Sequence, residues 1–215
     1  MTTKVEAEVK DKSTEAYEVI HELYQMIDET FLVYFISLAA PRAWRPHLAN
    51  FEKNYRNDLK KEGRGEIEIE RRLGEQDHVF FVEEFRVQTT TKNIREILEP
   101  GSFENLQAKN TVKIVYDSWE STYRPRLQKL VEEEIQSEIW GELGWIRQSI
   151  THRDSKGTDK LKKAKLITDF APGQQIILTH AIMEKIKQEL ENWYTEFSMK
   201  YFSSEKKSEK GSVLI

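Results

Sequence analysis

The sequence predicts a mainly α-helical protein, an antiparallel bundle of four or five helices with one or two small β-hairpins attached. Three observations predict it. Apolar residues recur at steps of three and four along several long segments. Charged residues make up 33% of the 215 positions while Gly and Pro together number 14 (9 Gly and 5 Pro), a composition typical of helix-rich globular proteins. No internal repeat of solenoid length is present.

The first two helices are expected to pair antiparallel across a short connection. The first is predicted from Tyr17 to Leu38, with Thr14 as its N-cap and Pro41 ending it. The second is predicted from about Pro46 to Lys61, because apolar residues repeat every four positions and a glycine follows.

Residues 64–90 break this pattern, since Glu66 to Ile69 alternates and a β-prone stretch runs from Val79 to Val87. We predict a hairpin or irregular insertion there. A short helix from Lys92 to Leu98 and a long helix from Ser102 follow, and Pro125 is expected to kink the long one.

The last third of the chain is predicted to contain two helices separated by a hairpin. The first of these helices runs from about Ile139 to His152, and the second is capped by Thr179. Between them, residues 166–170 and 175–178 flank Ala171-Pro-Gly, which suggests a second hairpin. We interpret residues 1–202 as a single domain and residues 203–215 as a disordered tail.

Composition excludes several classes of function. The net charge of -4 gives no global basic field, so any nucleic-acid site must depend on local charge. The absence of cysteine excludes disulfides and thiolate chemistry, and it fits a reducing cytoplasm. The polar N-terminus carries no export signal, and the apolar stretch from Phe31 to Ala40 is too short to span a membrane. We therefore expect a soluble cytoplasmic protein.

No metal site or cofactor is expected. The five histidines form no His-x-x-x-His pair, and no Gly-rich phosphate loop is present. The run Glu132-Glu133-Glu134 points in three directions on a helix, which indicates a solvated face rather than a magnesium site.

One motif remains, an Arg followed after four residues by a His, as in Arg147 and His152. Arg42 with His47 fits the looser pattern of an Arg and a His separated by four to six residues, as do Arg71 and Arg72 with His78. The first of these decoys contains Pro46, which we expect to start a helix, and the second crosses Gly74 in the insertion. Only the pair at 147 and 152 lies on a helix with its own apolar face, so only this pair is expected to be held rigidly.

The run around this pair, Gly141-Glu-Leu-Gly-Trp-Ile-Arg147-Gln-Ser-Ile-Thr-His152, resembles the Gly-Asp-Leu-Arg-x-x-Arg-(Asn/His)-Ser-Ile-x-His segment of the HEPN (higher eukaryotes and prokaryotes nucleotide-binding) superfamily. Val115-Tyr-Asp-Ser-Trp119-Glu120 is similar to the segment of its stand-alone bacterial members that carries Trp-Glu. The Ala171-Pro-Gly hairpin matches that group's layout, and the resemblance covers about Asn110 to Phe202. Two positions depart from it: Gln148 replaces Asn, Asp or His, and Gly144 replaces a common Arg.

The resemblance implies a metal-independent RNA endonuclease that acts as a homodimer, with Arg147 and His152 as catalytic residues. Helix geometry favours a dimer independently, because positions five apart differ by about 140° around a helix and do not share a face. An unregulated nuclease of this kind would need a partner, so an antitoxin or another regulatory protein is a further expectation.

Several neighbouring residues are expected to support the site. Gln148 shares a helix face with His152 and can hydrogen-bond a phosphate or a 2′-hydroxyl. Arg153, Lys160, Lys162 and Lys163 are candidates to position RNA, although a lysine cluster after a turn is also typical of a solvated surface. Trp119 is expected in the core.

Three alternatives stay open. Glu120 either orients a catalytic histidine or is an ordinary surface carboxylate. The domain is either a nuclease or a non-catalytic HEPN module that binds a nucleotide, RNA or a partner protein. Finally, the Arg and His are incidental if the protein is a structural interaction module, with Arg147 ion-paired and His152 a cation at a helix C-terminus.

Overall fold

The computed structural model describes the backbone of residues 2–82, 85–99 and 101–202, and the side chains of residues 12–39, 41, 43–78, 89–99 and 101–202. Across these residues the protein is mainly helical with one two-stranded antiparallel sheet. The expected tail, 203–215, lies outside the described residues. None of the helices in the described part of the chain has the length and apolarity that crossing a bilayer requires.

The helices and strands follow one another in an order close to the predicted one. Their bounds are α1 Thr2–Ser37, α2 Ala40–Lys61, α3 Glu66–Glu75, β1 Asp77–Val82, β2 Phe85–Thr90, α4 Thr91–Leu98, α5 Ser102–Ser118, α6 Arg124–Val131, α7 Glu138–His152 and α8 His180–Phe202. A π-helical turn, Trp119–Tyr123, separates α5 from α6, and a 3-10 turn, Asp159–Lys163, follows α7.

The described residues divide into two compact units. The first contains the chain up to Tyr34 and from Ala108 onward, and the second contains Phe35–Gln107. The candidate residues at 147 and 152 belong to the first unit, and the predicted insertion at 64–90 belongs to the second. The single-domain interpretation stays a prediction.

The insertion in the second unit is more regular than the sequence indicates. The predicted hairpin forms, with β1 and β2 paired from Asp77 opposite Thr90 to Val82 opposite Phe85. The alternating segment before it, however, is the helix α3. Ile69 and Leu73, four residues apart, are buried against Leu59, whereas Ile67 is 89% exposed. The four-residue spacing of the buried residues therefore corresponds to the helix that forms, whereas the two-residue alternation wrongly indicates a strand.

The first two helices are both longer than predicted. α1 begins at Thr2, so Thr14 lies inside the helix and is not its N-cap. α2 begins at Ala40, so Pro46 lies within it rather than at its start. A proline removes one backbone donor but does not end a helix whose other contacts hold it.

The first unit is built around buried faces of α1, α5, α7 and α8. Three tryptophans, from the π-helical turn, α7 and α8, meet in its core. The ring of Trp119 stacks on that of Trp140 with centroids 4.5 Å apart, and Trp193 packs edge-on against both. α1 joins α8 through the stacked rings of Tyr24 and Tyr194. The regular helix after Ser102 is interrupted just before Pro125, in agreement with the predicted break.

The hairpin predicted around Ala171-Pro-Gly is wrong. Among the described residues no strand pairs 166–170 with 175–178; instead Gln175 forms an isolated bridge with Lys156. Ile167, Phe170, Ile176 and Leu178 are buried, which explains the apolar pattern that suggested strands. The segment therefore packs as an irregular chain against the helices. Its apolar pattern reflects the burial of these side chains and not the pairing of strands.

Gly157 is needed where this irregular chain returns to the end of α7. Its N–H donates to the carbonyl of Gln174, and its own carbonyl accepts from the N–H of Gly173, both at 2.8 Å. A Cβ at this position would lie 2.5 Å from the carbonyl oxygen of Ala171, a backbone atom that cannot move alone.

We predict that Gly157→Ala destabilises the protein by about 1–3 kcal/mol, the usual cost of forcing extra volume into a packed site. Urea unfolding followed by circular dichroism measures the change. Gly141→Ala is the matched control. It lies in α7 with nothing within 4 Å of the added Cβ, so it is expected to stabilise by about 0.5–1 kcal/mol because alanine favours a helix. Equal stability of the Gly157 variant and the wild type would contradict the packing described.

Candidate functional site

The helix that carries the candidate residues is defined at both ends. The Ser137 hydroxyl accepts from the backbone N–H of Trp140 at its start. The helix ends at His152, as predicted, and Asp154 and Ser155 then adopt left-handed backbone conformations that turn the chain away. Ser155 donates its N–H to the carbonyl of Ser149 and accepts from Ile176, so the turn is pinned to the helix end.

A buried carboxylate fixes the segment that follows the 3-10 turn onto α7. Glu142 is 2% exposed, and its two oxygens accept the backbone N–H groups of Lys165, Leu166 and Ile167 at 2.6 to 3.2 Å. Ser149 acts similarly nearer the helix end, where its hydroxyl donates to the carbonyl of Trp145 and accepts the N–H of Thr158. Together these bonds make α7 a rigid support.

Arg147 and His152 are not brought together within one chain. Arg147 is held by Asp117 of α5, with its Nε donating to Oδ1 at 2.8 Å. His152 is exposed at the last position of α7 and has no hydrogen bond or ion pair to any side chain that the structure describes. The two side chains leave the helix about 140° apart, as its regular geometry requires.

The residues expected to position RNA are all exposed. Gln148 lies on the same face as His152, and Arg153 caps the helix. Lys162 pairs with Asp159 at 3.2 Å. Lys160 and Lys163 have no partner among the described residues and keep their charges available to a ligand.

The two supporting residues have different environments. Trp119 is buried in the tryptophan cluster, as predicted, and is therefore inaccessible to a base. Glu120 is exposed and accepts from Arg124 through both oxygens at 3.1 Å, so it behaves as a surface carboxylate. No contact joins it to a histidine in the described part of the chain.

The decoy motifs differ from the sequence-based expectation in one respect. Arg42 and His47 both lie inside α2, so the argument that a helix start separates them is wrong. Arg72 lies in α3 and His78 in β1, in agreement with the expectation that this match crosses two elements. The His78 ring is buried against Phe51 and Tyr55, where it is part of the core of the second unit.

The acidic run follows the end of α6, so the expectation that it lies on a helix is wrong, although its side chains are dispersed. Glu132, Glu133 and Glu134 contact three different cations, which are Lys12, Lys200 and Arg124 respectively. Across the residues with described side chains, no group of three or more His, Asp or Glu is arranged to hold a metal ion.

Sequence reasoning missed Asp117 and Tyr116. Asp117 carries no signal of its own, because thirty residues separate it from Arg147. Tyr116 lies so close to Gly144 that a Cβ there would be 2.7 Å from the phenol oxygen, so a larger residue would fit only if the tyrosine ring moved. Burial, followed by the negative charge of Glu120, raises the pKa of Tyr116, so its hydroxyl remains protonated and donates to Glu120.

No protein-family profile, curated protein or solved structure matches the chain.

The Arg147–Asp117 pair is partly exposed, with 30% of the Arg and 47% of the Asp side chain accessible. We therefore predict a double-mutant cycle with Arg147→Ala and Asp117→Ala to give a coupling free energy of only about 0.2–1 kcal/mol, the range of exposed ion pairs. Urea unfolding supplies the four free energies.

The pair between Arg126 and Glu22, 3.0 Å apart with 46% and 52% exposure, is the matched control and should give a similar value. A coupling of about 3 kcal/mol or more, typical of a buried pair, would make Arg147 a structural residue.

Proposed function

We propose that the protein is a metal-independent RNA endonuclease of the HEPN type, acting as a homodimer. The observation that carries the proposal is the arrangement on α7: His152 stands exposed and unpaired at the helix end, on a support fixed by buried hydrogen bonds, while Asp117 orients Arg147 on another face. We further propose that the helices form a four- or five-helix bundle, as the apolar periodicity of the sequence predicts.

The chemistry requires only these two kinds of side chain. A base removes the proton of the ribose 2′-hydroxyl, whose oxygen then forms a bond to the adjacent phosphorus. The bond from phosphorus to the 5′-oxygen breaks, and that oxygen takes a proton from an acid. The products are a 2′,3′-cyclic phosphate and a free 5′-hydroxyl. Histidine accepts and donates protons near neutral pH, and arginine stabilises the charge that develops on the phosphoryl oxygens.

Dimerisation supplies the geometry that one chain lacks. A two-fold axis beside α7 would place Arg147 of one subunit near His152 of the partner subunit, and the reverse. The guanidinium retains N–H donors beyond the Nε that Asp117 binds, so it can be oriented by Asp117 and still contact a phosphate. Gln148, Arg153, Lys160, Lys162 and Lys163 then border the groove from both chains.

The cellular setting that fits such an enzyme is a toxin-antitoxin or defence system in the cytoplasm. A nuclease without a metal requirement is active wherever RNA is present, so its control falls to a second protein. An antitoxin that covers the groove would provide this control. The absence of cysteine fits the reducing compartment in which RNA is found.

A second candidate function is a non-catalytic module that binds a nucleotide, RNA or a partner protein through the same groove. The ion pair between Arg147 and Asp117 favours it, because a carboxylate beside the guanidinium reduces the positive charge that a phosphorane would feel. Gln148 favours it as well, since it cannot take part in proton transfer.

We predict that the purified protein cleaves single-stranded RNA or RNA loops in the presence of EDTA. Removal of the proton-transfer group in His152→Ala should lower the rate on the order of 10²–10⁴-fold. Arg147→Ala should be comparably harmful because it removes charge stabilisation from the transition state. Gel analysis of a labelled RNA measures these rates.

The control is His47→Ala, since His47 is exposed in α2 and should leave the rate unchanged. His78 is unsuitable as a control because its ring is buried and its replacement would affect folding. Circular dichroism checks that each variant is folded. Binding of RNA without cleavage between about pH 6 and 8 would support the module instead, and cleavage that EDTA abolishes would contradict the metal-free mechanism.

A further inference from the structure

An open cleft of about 370 Å³ lies beside the first half of α7, wholly within the first unit. One wall is α7 itself, and the other is the segment that Glu142 holds against it. Its main lining residues are Ser137, Glu138, Gly141, Trp145, Lys163 and Lys165.

Trp145 differs from the other tryptophans on this unit. Trp119, Trp140 and Trp193 stack on one another in the core, whereas Trp145 is partly exposed and lines the cleft. Its ring has no aromatic partner, and its indole N–H has no acceptor, among the residues whose side chains are described. A partly exposed indole with a free face and a free donor is a suitable surface for a flat, polar ring.

Of the two lysines that line the cleft, one has no ion-pair partner among the described residues. Lys165 pairs with Glu138, and Glu142 is occupied by three backbone N–H groups. Lys163 lines the cleft without a partner among the described residues. The cleft therefore offers one flat aromatic surface and one free positive charge, which match a base and its phosphate.

The cleft and His152 lie on the same face of α7. Glu138, Gly141, Trp145, Gln148 and His152 follow one another at steps of three and four, so they form one stripe along the helix. Seven residues separate Trp145 from His152, which corresponds to about 10 Å along the axis. A strand that passes His152 can thus continue along this stripe to the indole.

We propose that this cleft is a base-stacking subsite for single-stranded nucleic acid, in which an unpaired base stacks on Trp145 while Lys163 contacts a phosphate. The link to cleavage rests on the proposed function, but binding in the cleft does not. Duplex RNA does not fit the subsite, because its bases are already stacked on their neighbours and paired. The subsite therefore selects unpaired RNA and fixes which nucleotide lies at His152.

The test uses the full chain carrying His152→Ala and a fluorescently labelled, single-stranded 2′-O-methyl RNA of about 12 nucleotides, a length within the usual range of single-strand sites. This RNA has no free 2′-hydroxyl and is not cleaved by the proposed reaction. Fluorescence anisotropy measures Kd. Trp145→Ala should weaken binding on the order of 10-fold, and Trp145→Phe, which keeps an aromatic face, should restore most of the affinity.

Lys163→Ala should weaken binding more moderately and reduce the slope of log Kd against log salt concentration by about one. Lys129→Ala on α6 is the control for general charge loss, since Lys129 is exposed but does not line the cleft. The same sequence in a duplex should bind more weakly and without dependence on Trp145.

Unchanged affinity in both Trp145 variants overturns the proposal, as does duplex binding with the same dependence on Trp145. A protein partner that binds through Trp145 while the RNA does not bind at all also overturns it. The two proposals fail separately. If binding depends on Trp145 but the wild type does not cleave ordinary RNA, the nuclease proposal fails and the subsite proposal stands. If the wild type cleaves RNA but binding does not depend on Trp145, the subsite proposal fails and the nuclease proposal stands.

Discussion

The interaction on which the candidate site depends is the buried carboxylate of Glu142. A carboxylate in the interior is tolerated only when its oxygens are satisfied, and here three consecutive backbone N–H groups, from Lys165 to Ile167, satisfy them. Leaving a buried group without its hydrogen-bond partners typically costs about 1–3 kcal/mol, and more when the group is charged. The bonds fix the chain after the 3-10 turn against α7, where this segment forms one wall of the cleft and Lys163 lines its edge.

The sequence predicts those helices in which buried apolar residues recur at regular steps. It does not predict the structure of segments whose apolar residues are buried for another reason. α7 and α8 appear close to their predicted bounds, because a three- and four-residue apolar pattern reflects one helix face. α3 is not predicted because the alternation from Glu66 to Ile69 masks the four-residue step between its buried residues, Ile69 and Leu73. The segment from Ile167 to Leu178 resembles a hairpin because buried apolar residues alternate with exposed ones, as at Ile176 and Leu178. Only the fold shows that its hydrogen bonds go to Glu142 and to residues 155–157 instead.

The residues of the candidate site also differ in whether the sequence can predict them. Arg147, Gln148 and His152 can be predicted because they belong to one local motif on one helix. Lys163 can also be predicted, from the basic cluster after α7, but its place at the cleft cannot. Asp117 cannot be predicted either, because its contact with Arg147 joins segments distant in sequence, for which a single sequence carries no signal. Trp145 is intermediate: its position in the stripe with Gln148 and His152 could have been derived from helix geometry, but its exposure could not, because most tryptophans are core residues. The contact between Tyr116 and Gly144 likewise joins two helices distant in sequence.

The central claim, that each site combines Arg147 of one subunit with His152 of the other, is tested most directly by subunit complementation. Arg147→Ala and His152→Ala proteins are each inactive in this account, but when unfolded together, refolded and mixed, about half of the dimers contain one copy of each and retain one of two sites. The account predicts recovery of about a quarter of the wild-type rate of RNA cleavage. No recovery, in a sample in which mass spectrometry of the native complexes detects the mixed dimer, would contradict it.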